Sequence, residues 1–400
     1  LAFATSQDAR RLIAARGLRG FADGAVSVLL AGYLTDLGFT PFRVGATITG
    51  TLVGSALLTL AVGLLGHRLR RKGVLLAAAA LMAATGTGFA GLTTFWPLLA
   101  VAVVGTLNPS SGDVSVFLPV EQAALAESET ALRLTRTFAR YNLSGTLMGA
   151  LGALASGIPE AAARALHGNV HDAERLGFVV YVLVAVLVAI LYHGLSPAIE
   201  HRGAAAAPLA RSRAVVLELT ALFSIDSFGG GLVVQSLLVL WLGRRFHLPT
   251  AATGTIFFIA GLLAAFSQLM SARLAAHIGR IRTMVYTHLP ANLFLIIAGL
   301  APSAPLAVTF LLLRMALSSM DVPARQSYVM AIVPAEERAA AASVTNVPRS
   351  FATALAPLLA GAMLERSSFG WPLVIAGALK VIYDLLLLAR FRAVRVPGEP

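Results

Sequence analysis

Arg16, Arg19 and Asp23 stand three and four positions apart in a stretch that is otherwise mostly apolar. That spacing puts the three side chains on one face of a helix. An ionisable group at the centre of an apolar membrane span costs roughly 3 kcal/mol on insertion scales unless it is paired or wetted, so each is a candidate for binding or proton transfer. Arg19 and Asp23 are therefore expected at a substrate site, with Asp23 exchanging a proton. The purely structural alternative is a local ion pair that neutralises Asp23. A second candidate proton carrier, Asp226, precedes Phe228-Gly229-Gly230-Gly231. A glycine run loosens a helix and would suit a bending gate. Gln235 follows as a hydrogen-bonding group.

Two further stretches point to the same chemistry. Asn108-Pro109-Ser110-Ser111-Gly112-Asp113 breaks the hydrogen-bond ladder of any helix it enters. Broken helix is tolerated at membrane depth only where it is buried in protein or lines water. Arg314, within Leu312-Leu313-Arg314-Met315, is a lone cation suited to an anionic group or to an acid on another span. Substrate contact is thus expected from Arg19, Asp23, Asn108, Gln235 and Arg314, and proton coupling from Asp23 and Asp226.

Toward the expected cytosolic ends, Asp113, Glu121 and Arg140 recur as Asp321, Arg325 and Arg349. Glu121 and Arg325 are repeat mates of opposite sign. Together with Arg68 these residues form an expected cytosolic gate, either pairing across two halves or pairing statically within each. Lys380 and Asp384 are spaced to neutralise each other. His167 and His171, near Asp172 and Glu174, read as solvated loop residues, because a metal site needs three or four convergent ligands. No phosphate loop, nucleophile elbow or paired-histidine zinc motif occurs. An enzyme, a metal site and a cofactor are therefore not expected, and uphill transport would draw on a gradient.

The elements that carry these residues are apolar spans. The chain of 400 residues is 57% hydrophobic and 12% charged, with a mean hydropathy of +0.80. A soluble domain carries roughly 25% charged residues. A hydrocarbon core of about 30 Å needs roughly 20 apolar residues as helix. Twelve such spans are readable, near 15–37, 42–65, 74–93, 96–120, 134–157, 176–195, 215–243, 251–270, 283–302, 305–332, 342–364 and 371–391. The net charge of +12 does not indicate nucleic acid, because the arginines lie between spans and not on one face. Thirteen basic residues fall in the even-numbered gaps and six in the opposite ones, which puts both termini in the cytosol. Leu1 to Arg11 lack a cleavable signal pattern. There are no cysteines, and the only lysines are Lys72 and Lys380; a composition so rich in Ala and Arg suggests a bacterial genome.

The chain also repeats itself. Gly63-Leu64-Leu65-Gly66-His67-Arg68-Leu69-Arg70-Arg71-Lys72 is echoed by Ala272-Arg273-Leu274-Ala275-Ala276-His277-Ile278-Gly279-Arg280. Pro41 and Gly45 recur as Pro249 and Gly254. Pro119-Val120-Glu121-Gln122 recurs as Pro323-Ala324-Arg325-Gln326. Duplicated spans with basic connectors mark a transporter of two related halves. The division expected is 1–195 for an N-terminal six-helix half, 196–213 for a cytosolic linker and 214–400 for a C-terminal half.

With these features the chain resembles the major facilitator superfamily. Gly63, Leu65, Arg68, Arg71 and Lys72 match the loop that follows the family's second span. His67 stands where that loop usually has Asp, and the proline of the span 5 antiporter motif is missing from Gly145-Thr146-Leu147-Met148-Gly149. The resemblance implies an all-α membrane fold of twelve transmembrane helices in two pseudo-symmetric halves, with a central site between spans 1, 4, 7 and 10. It implies an alternating-access secondary transporter, acting as a monomer in a bacterial inner membrane. The expected activity is proton-coupled export of a small organic or amphipathic molecule. The alternatives are an importer or uniporter of a small organic anion, favoured by Arg16, Arg19 and Arg314 and by the missing span 5 motif, and a non-transporting sensor or scaffold.

Overall fold

The computed structural model describes residues 6–65, 69–110, 115–128, 131–165, 167, 170–200, 210–334 and 337–391. His67, Arg68 and Asp113 lie outside the described residues, as does the side chain of His171. The first half contains α1 (Gln7–Asp36), α2 (Pro41–Leu65), α3 (Arg71–Gly91), α4 (Phe95–Val104), α5 (Phe117–Ser128), α6 (Ala131–Ala155), α7 (Ile158–Ala165) and α8 (Val170–His193). The second contains α9 (Arg213–Leu232), α10 (Gln235–Phe246), α11 (Thr250–Ile278), α12 (Arg280–Leu300), α13 (Ala304–Ser318), α14 (Asp321–Ile332), α15 (Arg338–Arg366) and α16 (Trp371–Phe391).

Nine of the described segments are long and apolar enough to cross a membrane. The other three crossings are α1 and α6, which carry charges in their first turns, and the interrupted pair α4–α5. The twelve spans are therefore present, with three of them in two pieces: α4–α5, α9–α10 and α13–α14. Span 1 starts earlier than its apolar run suggests, at Gln7, because Ser6 accepts a hydrogen bond from the Ala9 N–H and caps it. Large apolar side chains such as Leu183, Ile190, Phe266, Leu269 and Ile382 face outward, as a lipid-exposed surface requires.

The glycines set how closely the helices approach. A Cβ on Gly24 would sit 2.0 Å from the Gly149 carbonyl oxygen, so α1 and α6 touch backbone to backbone. This contact uses the glycines of Gly145–Gly149, the stretch that lacks the family's proline. The two halves meet the same way. A Cβ on Gly45 of α2 would lie 2.5 Å from the Pro357 oxygen of α15, and one on Gly254 of α11 would lie 2.5 Å from the Ala153 oxygen of α6. Both contacts lie at the end remote from the basic turns Arg70–Lys72 and Arg280–Arg282. Toward the basic end the halves part. An apolar cluster there, including Val216, Phe223, Tyr328 and Leu387, belongs to the second half alone.

Two carboxylates fasten the connectors at the basic end. Glu200 accepts from the Arg71 and Lys72 N–H groups at 2.7 and 3.1 Å. Glu337 accepts from those of Arg211 and Ser212 at 2.9 and 3.1 Å. The hydrogen bond from the Ser212 hydroxyl, with the backbone N–H groups of Arg211 and Ser212, lowers the Glu337 carboxyl to about 2. Each carboxylate thus satisfies the open N–H groups of a helix start.

Candidate functional site

The site forms where two broken helices meet. Span 4 leaves the helical path after Val104, and its Pro109 carbonyl has no helical partner. Span 7 breaks at Val233–Val234, between α9 and α10. The first residues of α10 supply what the proline left open: Ser236 donates its N–H to the Pro109 oxygen at 3.3 Å and its hydroxyl to the same oxygen at 3.0 Å. The hydroxyl also reaches the Ser27 carbonyl at 2.7 Å. These bonds join the halves at mid-depth. The expected bend at Gly229-Gly230-Gly231 is not there. All three are helical, and a Cβ on Gly231 would lie 2.2 Å from the Thr353 oxygen. Gly231 admits α15, Gly229 and Gly230 face α16, and the break falls just beyond them.

On the basic side of this seal lies a cavity of about 440 Å³. Its charged and amide groups are Arg16, Asp23, Asp226, Gln235, Gln268, Arg314, Arg349 and Lys380. A second cavity of about 320 Å³ shares Arg16, Thr146, Ser227, Gln268 and Arg349 with it and reaches Pro119, Gln122, Pro323 and Gln326 near the basic end. The molecule is thus closed at one end and open toward the basic end. Asp23, Asp226, Gln235 and Arg314, picked from three separate spans, line one cavity. Arg349, expected at a gate, lines it too.

Other expected residues lie elsewhere. Asn108 is 3% exposed, behind the wall, within hydrogen-bonding range of Asp23. Arg19 does not reach the cavity. It is 1% exposed, bonded to Glu121, and its guanidinium lies 4.2 Å from the Phe117 ring centre. Tyr141 and Tyr192 also donate to Glu121, at 2.5 and 2.6 Å. Glu121 is therefore locked inside the first half and does not face Arg325. Arg325 is bonded within the second half to Asp226 and Asp321, each at 3.2 Å. In this conformation both pairs lie within their halves. Arg140 is exposed on α6.

The second half holds a larger buried network than the sequence suggested. Lys380 of α16 donates to Asp226 of α9 at 2.6 Å, and not to Asp384 one turn along its own helix. The expected Lys380–Asp384 pair is thus replaced. Asp384 instead takes the Nδ1 of His288 at 3.0 Å and the amide of Asn292 at 2.9 Å. His288 Nε2 faces Asp226 at 3.8 Å. His288 and Asn292 were missed, although a histidine and an asparagine four apart in an apolar span carry the same signal that singled out Asp226. Three carboxylates, Asp226, Asp321 and Asp384, surround two fixed cations, Lys380 and Arg325. His288 decides whether one negative charge is left over or none.

Three cavity cations have no carboxylate within ion-pair distance among the described residues. Arg16 lies 5.7 Å from the Tyr141 ring centre, and its Nε has no partner. Arg314 touches the Met315 sulfur at 3.4 Å, and its Nε is also unpartnered. Arg349 is bonded to the Ser227 hydroxyl at 3.1 Å and the Asn346 side-chain oxygen at 3.2 Å. Arg16 is buried and Arg314 and Arg349 are half-buried, and guanidiniums so placed without acids favour an anion beside them. The cavity can therefore hold an anionic group between α1 on one side and α13 and α15 on the other.

Comparison with known proteins supplies the class. The profile of the Major Facilitator Superfamily matches residues 12–313 and 219–400. An uncharacterized membrane protein of Saccharomyces cerevisiae is 26% identical over 425 residues, covering 97% of this chain and 95% of the relative. The nucleoside transporter NupG superposes with a TM-score of 0.75 at 13% identity, covering 96% of this chain and all of that one. The xylose transporter XylE of E. coli, in an inward-open conformation, superposes with a TM-score of 0.75 at 15% identity over 97% of each chain. At these identities the structural likeness concerns the fold.

Proposed function

The chain belongs to the major facilitator superfamily, a family of secondary transporters and not of enzymes, and from that premise we propose that its cargo is a small organic anion carried together with a proton. The observation that carries this reading is the trio Arg16, Arg314 and Arg349, cations from both halves that line the central cavity and have no carboxylate within ion-pair distance among the described residues. Alternating access follows from their placement. An anion drawn between Arg16 on one side and Arg314 and Arg349 on the other pulls the halves together at the basic end. The contacts at the opposite end, held by Ser236 and by the glycines of α2, α6, α11 and α15, must then yield.

The same reading takes the basic end as cytosolic, with both termini there, and the membrane as the inner membrane of a bacterium. It divides the chain into halves at residues 196–213 and takes one chain as the working unit. A second reading is export of a small organic or amphipathic molecule against an entering proton. Asp23 on the cavity wall favours it, since a carboxylate there attracts a cationic cargo. The lining argues against an amphipathic cargo, because Phe257 is the one aromatic among the residues that line the central cavity.

The test is uptake into proteoliposomes holding the full chain, with an inward proton gradient. The probes are succinate, glycerol 3-phosphate, xylose and a lipophilic cation. Saturable uptake of an anion, lost in Arg314→Ala, supports the anion reading. Efflux of the preloaded lipophilic cation alone under the same gradient, lost in Asp23→Asn, would replace it with the export reading.

A further inference from the structure

We propose that His288 carries the coupled proton and that Lys380 is the cation exchanged between Asp226 and the anionic cargo. This inference rests on the anion reading and adds the device that ties the anion to the proton. His288 is 4% exposed on α12, and its two ring nitrogens face different carboxylates. Nδ1 stands 3.0 Å from Asp384, which is fully buried and further fixed by the Asn292 amide. The Asn292 amide nitrogen also lies 3.1 Å from Nδ1, but it donates to Asp384 at the shorter 2.9 Å, and with the carboxylate setting the tautomer Nδ1 carries hydrogen and Nε2 is the open position. Nε2 points to Asp226 across 3.8 Å, and Asp226 lines the cavity. The histidine is thus a proton acceptor one carboxylate away from the cargo.

Lys380 completes the device. Its ammonium lies 2.6 Å from Asp226 and on the cavity wall. An incoming anion competes with Asp226 for it. When the anion wins, the Lys380–Asp226 hydrogen bond breaks and a Lys380–anion bond forms. Asp226 then carries uncompensated charge beside Nε2. A hydronium in the cavity gives its proton to Asp226, which passes it to Nε2, leaving water behind, and the new N–H faces Asp226. Release runs in reverse: the proton leaves Nε2 to water, Asp226 takes back Lys380, and the anion departs. A singly charged anion and a proton enter together, so the net charge of the site is the same empty and loaded.

The other groups around His288 fit this account. From α16 come Lys380, Asp384 and the Tyr383 ring, 6.0 Å away edge-on. From α9 comes Asp226. From α14 come Asp321 and Arg325, which share a bond at 3.2 Å. Arg314 of α13 and Arg349 of α15 stand on the cavity side. Between Thr250 and Ser271, α11 has no ionisable residue. Arg325 holds the other oxygen of Asp226 at 3.2 Å throughout, so Lys380 is the cation free to exchange.

Two measurements on the full chain test this. The first needs no cargo. Protein labelled at histidine is followed by NMR as a function of pH, with the His288 signal identified by its loss in H288Q. Lys380→Met removes the ammonium as an anion would. The His288 titration midpoint is expected to rise in Lys380→Met, within a range of about pH 5 to 8. A midpoint that is unchanged or lower overturns the proposal. Lys380→Gln serves if the methionine variant does not fold.

The second measurement compares proton-driven accumulation with counterflow of the same anion, succinate or glycerol 3-phosphate, which needs no gradient. In H288Q accumulation is expected to fall about tenfold or more while counterflow persists. Accumulation that survives in H288Q overturns the role of His288 and leaves the anion reading standing. If wild-type protein moves neither anion, the anion reading fails, and the coupling inference fails with it.

Discussion

Arg19 of α1 and Asp226 of α9, each on the first helix of its half, carry opposite charges. Arg19 binds Glu121 of α5, and Asp226 binds Arg325 of α14, which is the repeat mate of Glu121. The two halves therefore use one helix-to-helix bridge with its polarity inverted. The difference lies in the surroundings. Glu121 is closed in by Tyr141 and Tyr192, while Asp226 borders the cavity with Lys380 and His288. The first bridge holds its half together, and the second is open to chemistry.

Removing one partner of the first bridge leaves a buried charge alone. Glu121→Ala is expected to destabilise the protein by about 3 to 5 kcal/mol. The paired replacement Arg19→Met with Glu121→Met recovers most of that loss. Thermal unfolding in detergent checks both. A single Glu121→Ala variant as stable as wild type would reopen a gating role for Glu121.

Arg314 should behave in the opposite way. Among the described residues no acid lies within ion-pair distance of it, so Arg314→Ala leaves the melting temperature level or higher. Affinity for the anionic cargo falls roughly tenfold to a hundredfold, as for the loss of a charged contact. Arg314→Lys keeps part of the affinity. Equilibrium binding and thermal unfolding of the same preparations separate the two effects.

The cavity opening predicts which side water reaches. The chain has no cysteine, so a single Gln326→Cys can be read directly. Gln326 lines the lower cavity near the basic end. A water-soluble maleimide added on the basic side should label it, and added on the other side should not. A bound anion that closes the basic end should slow the labelling several-fold.

Glu337 gives a pH prediction outside the membrane. Its carboxyl is lowered from 4.5 to about 2 by the Ser212 hydroxyl and the backbone N–H groups. A lowered carboxyl stabilises the fold above its ordinary value and loses that contribution as the pH falls toward the folded value. The stability difference between wild type and Glu337→Gln should be constant from neutral pH down to about 5, and close between about 4.5 and 2. A difference that closes at neutral pH would show that another group holds the linker.

What the sequence determined by itself was whatever depends on local spacing. Runs of apolar residues between basic turns set the crossings, and the echoes of Pro41, Gly45 and Pro119–Gln122 set the two-fold plan. Polar or charged groups inside a span marked Asp23, Asp226, Gln235 and Arg314, all of which line one cavity. The tertiary structure decided the partners. Lys380 has Asp384 four residues away yet binds Asp226, because α16 faces α9 and α12 presents His288 and Asn292 to Asp384. Arg19 shares a helix face with Asp23 yet turns to Glu121, because α5 brings a carboxylate ringed by two tyrosine hydroxyls. Likewise the bend of span 7 falls at Val233–Val234, because Gly231 is held in the helix by its closeness to Thr353. A long side chain reaches several neighbouring helices at similar cost, so its partner is set by which helices are adjacent, and one-dimensional spacing does not contain that.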